Sequence, residues 1–369
     1  MRNGCRLMRL NPTVEFEQDD ATGHVIVRVS RGAALTRYKI NAAIRQFLES
    51  FREPATLEQV AASLAKDGYD REAVMAFGKQ IVKTPMIEFH DPSGTPRQRI
   101  DEVIASLGYT FQFAYKEKEF EGVYRVLGLG GRTEVLKTMH TRPEARGAAD
   151  IAARIGNEYG VLRSLQDVEG VVRATRHADV PWPHLTMRFV EGVALLDHGP
   201  RSMRSSLALC ARVARVVVAL HDHGIVHGDL HTSNFIEDGE GGITLIDFDC
   251  AFAVDGGYVP RIGGAIHFLP PERAVASWNE HSAVVPDYAS DIYQSGVVMY
   301  ALLTNDLPFR GATLSELSQN IRGRPYRPLP ARTSEGAIPP DVVDFVHRCL
   351  SADRSARPRD LKEFPHDVG

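Results

Sequence analysis

The residues best suited to chemistry lie in HGDLHTSNFIEDGEGGITLIDFD, residues 227–249. Asp229 and Asn234 are five positions apart, and Asp247 follows thirteen positions after Asn234. Between the last two, NFIED and GITLIDF have the pattern of two short strands joined by a glycine-rich turn. Such a hairpin returns Asp247 to the side of Asn234. Because Mg²⁺ binds through few protein oxygens plus substrate phosphates, we predict a magnesium site at Asn234 and Asp247, with Asp229 nearby.

The two histidines of this stretch do not predict zinc. His227 and His231 have no third and fourth ligand at useful spacing, and the cysteines, at positions 5, 210, 250 and 349, form no CxxC pair. We therefore expect His227 to support the backbone of the loop. The scattered cysteines indicate reduced thiols in place of a disulfide framework.

The spacing of these residues resembles that of the eukaryotic-type protein kinases, whose catalytic loop reads H-R-D-L-x-x-x-N and whose metal motif reads D-F-G. Here the loop is H-G-D-L-H-T-S-N and the metal motif is D-F-D. The resemblance implies ATP and Mg²⁺ as cofactors, with Asp229 receiving or orienting the proton of the acceptor hydroxyl. It also implies that Asn234 and Asp247 hold magnesium. His231 stands where protein kinases usually carry a lysine that touches the transferred phosphate, which makes it a catalytic candidate.

Upstream segments resemble the ATP clamp of the same family. TEVLKTM places Lys137 in the setting of the family motif V-A-I-K, and the helical pattern RIGNEYGVLRSL contains Glu158. By resemblance, Lys137 grips the α- and β-phosphates, and Glu158 holds its ammonium group in place.

The segment HLTMRFVEG resembles the family's strand and hinge beside the adenine. The resemblance places Met187 at the back of the adenine pocket and lets Phe189 and Val190 offer backbone groups to the base. Val135 above and Ile236 below are expected to sandwich the ring. All are also ordinary core residue types, so a purely structural role stays open for each of them.

The phosphate-covering loop departs from the family pattern G-x-G-x-x-G. GLGG, residues 128–131, ends only six positions before Lys137, which leaves room for one strand, so we predict a hairpin turn there. The loop is then KEKEFEG, residues 116–122, whose one glycine, Gly122, is the expected contact to the nucleotide.

Three further positions separate protein kinases from small-molecule kinases. Glu272 lies at the family's A-P-E, Asp291 is the expected buried anchor under the catalytic loop, and Arg357 is expected to pair with Glu272. The motif HGDLH, however, resembles that of small-molecule phosphotransferases related to aminoglycoside kinases. A small-molecule phosphotransferase therefore stays an alternative. A pseudokinase scaffold that binds a peptide without phosphoryl transfer is a second alternative.

Two differences from the protein kinase pattern concern regulation. Gly228 replaces the arginine that normally binds a phosphorylated activation loop, and between Phe248 and Pro271 the only hydroxyl-bearing residue is Tyr258. Activation by phosphorylation of this loop is therefore not expected. Ala265 stands where serine/threonine kinases carry a threonine, so the acceptor is open, with Ser or Thr favoured.

Residues 1–90 read as a separate domain. The strand patterns VEF and HVIVRV precede helical patterns over 41–50, 56–68 and 69–83, and MIEFH follows as a strand. This order resembles PqqD-like domains, winged-helix-like modules that recognise leader peptides of ribosomally made natural products. The resemblance implies that a leader adds as an extra strand beside the last helix. A generic winged-helix module that docks on the kinase or binds DNA is the alternative, although basic residues do not cluster on one helix.

Together the segments predict an α+β chain with an N-terminal domain at 1–90, a linker at 91–108, and a bilobal kinase-like fold with its N-lobe at 109–190 and C-lobe at 191–369. The predicted function is phosphorylation of Ser or Thr in a leader-bound precursor peptide, as in lanthipeptide-like pathways, since tethering raises the effective concentration. A partner lyase is expected to eliminate the phosphate.

Composition and apolar runs indicate which kinds of partner and which cellular location to expect. The 369 residues are 43% hydrophobic and 24% charged with a net charge of −4, which does not favour nucleic acid as the main partner. The N-terminus lacks the apolar core of a signal peptide, and the apolar run ARVARVVVAL is short and carries arginines. We expect a cytoplasmic protein without a membrane partner.

Overall fold

The computed structural model describes residues 8–10, 14–19, 24–31, 34–81, 86–89, 96–117, 121–128, 130–139, 148–196, 201–257, 264–274, 284–311, 313–323 and 325–365. The chain divides into two compact units, Met1–Thr133 and Glu134–Gly369. Within the described ranges, no helix combines the length and the apolar character needed to cross a bilayer.

The first unit combines antiparallel strands with helices. Strand β1 pairs with β5, β3 lies between β2 and β4, and β6 pairs with β7. In chain order the elements are β1 (Met8–Leu10), β2 (Val14–Asp19), β3 (His24–Arg31), β4 (Ala34–Ile40), α1 (Ala42–Glu49), α2 (Leu57–Lys66), α3 (Arg71–Ile81), β5 (Ile87–Phe89), α4 (Pro96–Ser106), β6 (Thr110–Glu117) and β7 (Glu121–Leu127).

Polar caps start the three helices predicted in residues 41–83. Asn41 and Asp70 accept hydrogen bonds from backbone N–H groups three residues on, at 2.9 and 2.7 Å, and Thr56 forms a capping box with Gln59. The apolar faces meet in one core, where the ring of Phe47 contacts those of two other phenylalanines edge to face. The three helices and the strand MIEFH are confirmed, whereas strand β4 was not predicted.

The stretch predicted as a linker, residues 91–108, contains a helix that was not predicted, α4, at residues 96–106. Proline suits the first helical position, so Pro96 starts the helix and does not interrupt it. Ile100, Val103, Ile104 and Leu107 repeat at helical spacing and are all buried. The Pro, Gly and Ser content of residues 91–95 masked this pattern in the sequence, and residues 91–95 themselves lie outside the described ranges.

The second unit holds the predicted catalytic segments. Strand β10 pairs with both β8 and β9, β13 lies between β11 and β14, and β12 pairs with β15. In chain order the elements are β8 (Thr133–Met139), α5 (Ala148–Ser164), β9 (Ala174–Ala178), β10 (His184–Arg188), β11 (Val193–Ala194), α6 (Met203–Asp222), β12 (Ile225–Val226), β13 (Phe235–Glu237), β14 (Ile243–Leu245), β15 (Phe252–Ala253), α7 (Tyr288–Thr304), α8 (Leu314–Gly323), β16 (Arg332–Thr333), β17 (Gly336–Ala337) and α9 (Pro340–Cys349).

Helix α7 is the buried centre of the second unit. Its side chains are buried on all faces, which fits its mostly apolar sequence IYQSGVVMYALL. Asp287 caps the N-terminus with a capping box, and Asn305 ends the helix in the left-handed conformation. At Gly296 a Cβ atom would lie only 2.6 Å from the Cβ of Cys349, so the glycine allows α9 to pack closely against α7.

The predicted pair between Glu272 and Arg357 is confirmed. The guanidinium of Arg357 donates to both carboxylate oxygens of Glu272 at 2.8 Å, and it also donates to the carbonyl of Ala289 at 2.9 Å. The Arg357 side chain is fully buried and lies over the ring of Tyr293. The pair therefore fastens residues 270–274 to the beginning of α7.

Replacing Arg357 with leucine is expected to lower the free energy of unfolding by about 3 kcal/mol, because it strands the Glu272 carboxylate. We place the loss at the lower end of the range for buried pairs since Arg354 lies 3.9 Å from Glu272. Urea unfolding measures it. As a control, Arg348→Leu breaks two exposed pairs, with Asp344 and Glu363, and should cost at most about 1 kcal/mol. Equal losses of unfolding free energy in the Arg357 and Arg348 variants would contradict a stabilising role for the buried Glu272–Arg357 pair.

Candidate active site

The loop that carries Asp229 is supported by one buried carboxylate of α7. Asp291 accepts hydrogen bonds from the backbone N–H groups of His227 and Gly228, each at 2.8 Å, and lies 3.1 Å from Nε2 of His221. The predicted role of Asp291 as a buried anchor is confirmed. Gly228 adopts a φ of +76°, which glycine tolerates without the steric cost of a side chain.

Two side chains bind the other backbone groups of the loop. The carbonyl of Gly228 accepts hydrogen bonds from Nη1 of Arg273 at 3.0 Å and from Nε2 of Gln294 at 3.4 Å. The backbone N–H of Leu230 donates to Oε1 of Gln294 at 3.0 Å. The loop is thus held through its backbone, which leaves the side chain of Asp229 for other contacts.

The carboxylate of Asp229 is oriented by a backbone donor. Its Oδ1 accepts a hydrogen bond from the backbone N–H of Ala265 at 2.9 Å. Its Oδ2 lies 4.0 Å from Nε2 of His231. Since Oδ1 is engaged, Oδ2 is the oxygen suited to take a proton from an incoming hydroxyl group.

His227 lies inside the loop, as predicted for a supporting residue. It is buried, its Nδ1 accepts a hydrogen bond from the backbone N–H of Asp229 at 3.3 Å, and its ring meets that of Phe248 edge to face. Burial lowers the pKa of His227 below its usual value, although the carboxylates of Asp291 and Asp229 oppose this effect. A neutral imidazole fits this supporting role.

The predicted hairpin brings Asn234 and Asp247 together. Strands β13 and β14 pair Phe235 with Leu245, and the backbone N–H of Ile246 donates to the carbonyl of Asn234 at 2.8 Å. Nδ2 of Asn234 donates to the carbonyl of Asp229 at 3.0 Å, so its amide oxygen is the atom suited to the predicted metal contact. Asp247 has a φ of +60°, a strained conformation for a residue with a side chain. The three predicted residues therefore lie in one place.

Lys137 lies among three carboxylates. Its Nζ is 2.6 Å from Oε2 of Glu158, 3.2 Å from Oδ1 of Asp249 and 3.6 Å from Oδ1 of Asp247. Burial opposes the charge of this ammonium group, but the three carboxylates outweigh it and raise the pKa of Lys137 above its usual value. Lys137 therefore remains charged, as its predicted role in binding phosphate requires.

Helix α5 holds the segment that carries Asp247. Oε1 of Glu158 accepts the backbone N–H of Phe248 at 3.2 Å, while Oε2 of the same residue binds Lys137. One carboxylate therefore joins strand β8 to the segment after β14. Glu158 is fully buried, so both of its oxygens need these partners.

The residues predicted to line an adenine pocket lie in β8, in and after β10, and in β13. Val135 pairs with Met187 across β8 and β10, and Met187 is buried in the core. Val190 and Phe189 are half-buried. At Gly192, where φ is +149°, a Cβ atom would lie 2.8 Å from Cγ2 of Ile236, so the segment after β10 passes directly against β13. Their contact with a nucleotide stays a prediction.

Gly122 was predicted to lie in the phosphate-covering loop, but the structure places it in a strand. It lies in strand β7, opposite Glu117 of β6, and residues 118–120 of the predicted loop lie outside the described ranges. A Cβ atom at Gly122 would lie 2.0 Å from the hydroxyl of Tyr124, which requires glycine for a packing reason. GLGG lies between β7 and β8 as predicted, and the N–H of Gly128 donates to the carbonyl of Arg132 at 2.9 Å.

Contacts made by Arg154, Asn157, Asp249 and Ala265 were not predicted. Arg154 and Asn157 precede Glu158 by four and one positions, and helical spacing places them on its side of α5, so that signal was present. The other two act through partners far away in sequence. Asp249 binds Arg154 at 3.0 Å, and Ala265 uses its backbone N–H, which no residue type reveals.

Comparison with known proteins assigns this arrangement to a family. A family model described as the protein kinase domain matches residues 119–366. The chain is 32% identical over 270 residues to the serine/threonine-protein kinase pkn2 of Myxococcus xanthus, covering 66% of this chain and 31% of the relative. It is 24% identical over 272 residues to the serine/threonine-protein kinase PknB of Mycolicibacterium smegmatis, covering 66% and 41%.

The chain belongs to the protein kinase family, and the predicted kinase domain is confirmed. Its α+β content, with strands β8 to β10 followed by mainly helical segments, fits the predicted kinase fold. The chain spans between 31% and 41% of the length of the two relatives. Protein kinases in general use ATP and Mg²⁺, and the donors fit them, since Asp247 and Asn234 supply hard oxygen ligands and Lys137 a cation for phosphate oxygens.

Replacing Ala265 with proline removes the N–H that orients Asp229. The φ of Ala265 is −70°, which proline adopts readily, so the loss of the donor is the main change. We expect kcat for casein phosphorylation to fall about 10- to 100-fold, the value of a hydrogen bond to a charged group, with KM for ATP unchanged. Ala265→Ser keeps the N–H and should retain activity. A proline variant with the original kcat would show that this hydrogen bond is unimportant.

Proposed function

We propose that this chain is an ATP-dependent protein serine/threonine kinase that phosphorylates Ser or Thr of a precursor peptide held through its leader, in lanthipeptide-like natural-product biosynthesis. The observation that carries the kinase assignment is the convergence of Lys137, Glu158, Asp229, Asn234 and Asp247 in one site. The relatives' names, serine/threonine-protein kinases, support Ser or Thr as acceptor. The bidentate Glu272–Arg357 pair favours a protein acceptor over a small molecule.

The residues divide the reaction among them. Bound Mg·ATP supplies the γ-phosphoryl group. Lys137 binds phosphate oxygens while Glu158 fixes its position, and Asn234 and Asp247 are the oxygen ligands for the metal. Oδ2 of Asp229 accepts the proton of the Ser or Thr hydroxyl as its oxygen bonds to phosphorus and the bond to ADP breaks. His231, 4.0 Å from that oxygen, is placed to interact with the transferred group.

The order of elements in the first unit supports leader recognition. Strands precede helices α1, α2 and α3, and strand β5 follows them, in the order that the PqqD-like resemblance implies. Among the described residues, β2 and β4 each pair on one side only with β3, so each offers an edge to an added peptide strand. A leader held there raises the concentration of acceptor residues at the kinase domain. We also propose that a partner lyase acts next.

We further propose a cytoplasmic location. Cys210 and Cys349 are buried free thiols, which supports a reducing compartment.

Acceptor assays test the kinase proposal. With labelled ATP and Mg²⁺, we expect the full chain to phosphorylate casein on Ser or Thr and to leave kanamycin unmodified. Asp229→Ala should lower kcat by orders of magnitude while keeping nucleotide affinity, because its carboxylate contacts the acceptor and not the metal. Transfer to kanamycin would support the small-molecule alternative. Nucleotide binding without any transfer would support a scaffold.

The leader proposal has its own experiment. A short Ser/Thr-rich peptide encoded beside the gene should be phosphorylated with a KM at least about tenfold lower when its N-terminal leader is present. Casein provides the control, since its phosphorylation should not respond to added leader peptide except through competition at the acceptor site. Equal kinetics for the complete and leaderless peptides would refute leader recognition and leave the kinase assignment intact.

A further inference from the structure

One face of helix α5 contacts the segment that follows β14. Arg154, Asn157 and Glu158 stand at positions i, i+3 and i+4, which lie on one side of a helix. Glu158 accepts the N–H of Phe248, Arg154 binds the next residue, Asp249, and Nδ2 of Asn157 donates to the carbonyl of Ala251 at 2.8 Å. Three successive contacts therefore fix the position of α5 along this segment.

The contact of Arg154 is with a residue that departs from the family motif. Asp249 replaces the glycine of D-F-G, and Nη1 of Arg154 lies 3.0 and 3.3 Å from its two carboxylate oxygens. The side chains are 15% and 11% exposed, so the pair is largely shielded from water. Glycine at this position has no group to make such a link.

The same carboxylate approaches the phosphate-binding lysine. Oδ1 of Asp249 is 3.2 Å from Nζ of Lys137, closer than the 3.6 Å of the metal-binding residue Asp247. An uncompensated carboxylate here would compete with phosphate oxygens for Lys137 and repel them. Arg154 supplies the compensating positive charge.

We propose that Arg154 and Asp249 are positioning residues that latch helix α5 onto the metal-binding segment by a permanent charge pair. Arg154 also keeps the negative charge of Asp249 from weakening the binding of phosphate by Lys137, and this part rests on the proposed binding of Mg·ATP. This charge pair needs no phosphorylated residue. That agrees with Gly228, which replaces the arginine that would bind a phosphorylated loop, and with the absence of Ser and Thr between Phe248 and Pro271. The latch keeps the Lys137–Glu158 pair assembled before nucleotide binds.

A double-mutant cycle on the full chain tests the pair. Arg154→Ala should weaken Mg·ADP binding about tenfold, because it removes the positive charge that offsets the Asp249 carboxylate beside Lys137. Adding Asp249→Gly to that variant should restore most of the affinity, and Arg154→Lys should restore part of it. Arg163→Ala, which removes an exposed arginine of the same helix, is the matched control and should leave the affinity unchanged. Calorimetry gives each dissociation constant.

Hydrogen exchange of residues 148–164 in the nucleotide-free protein gives a second readout. Arg154→Ala and Asp249→Gly should each speed exchange in α5, whereas Arg163→Ala should not. Unchanged exchange, or additive losses of affinity in the double variant, would overturn the latch. If the original chain bound no Mg·ADP, the proposed function would fail, and the exchange measurement would still decide whether the latch exists.

Discussion

The buried ammonium group of Lys137 requires three separate parts of the second unit to meet at one point. A cation taken out of water is stable only if nearby groups balance its charge. Its partners come from separate parts of the chain: Glu158 from helix α5, and Asp247 and Asp249 from the segment after β14. Strand, helix and segment must therefore meet at this point. Their meeting places the proposed metal ligands, Asn234 and Asp247, in the same region as the lysine.

A second set of contacts fixes the acceptor side of the site through backbone atoms. Asp291 holds the N–H groups of His227 and Gly228, and the N–H of Ala265 orients Asp229. These contacts are permanent features of the fold and involve no added charge. Where other members of the family depend on an arginine and a phosphorylated loop, this chain has a glycine and internal hydrogen bonds.

The site was predictable from sequence because its residues sit in short motifs with fixed spacing. The hairpin that joins Asn234 to Asp247 follows from two strand patterns and a glycine-rich turn, and the Glu272–Arg357 pair follows from family positions. Helix α4 was missed because proline and glycine next to it indicated a linker. The contacts of Asp249 were missed because spacing along the chain does not reveal which distant side chain will balance a charge.

The proposed role of the charged Lys137 is to bind the phosphates of a magnesium-bound nucleotide. Isothermal titration of Mg·ATP into the original chain and into Lys137→Met measures this directly. We expect one nucleotide per chain, with affinity reduced at least about tenfold in the variant by loss of a charge-assisted contact. Equal affinity in the two proteins would contradict it, because the most strongly compensated charge in the site would then have no part in binding.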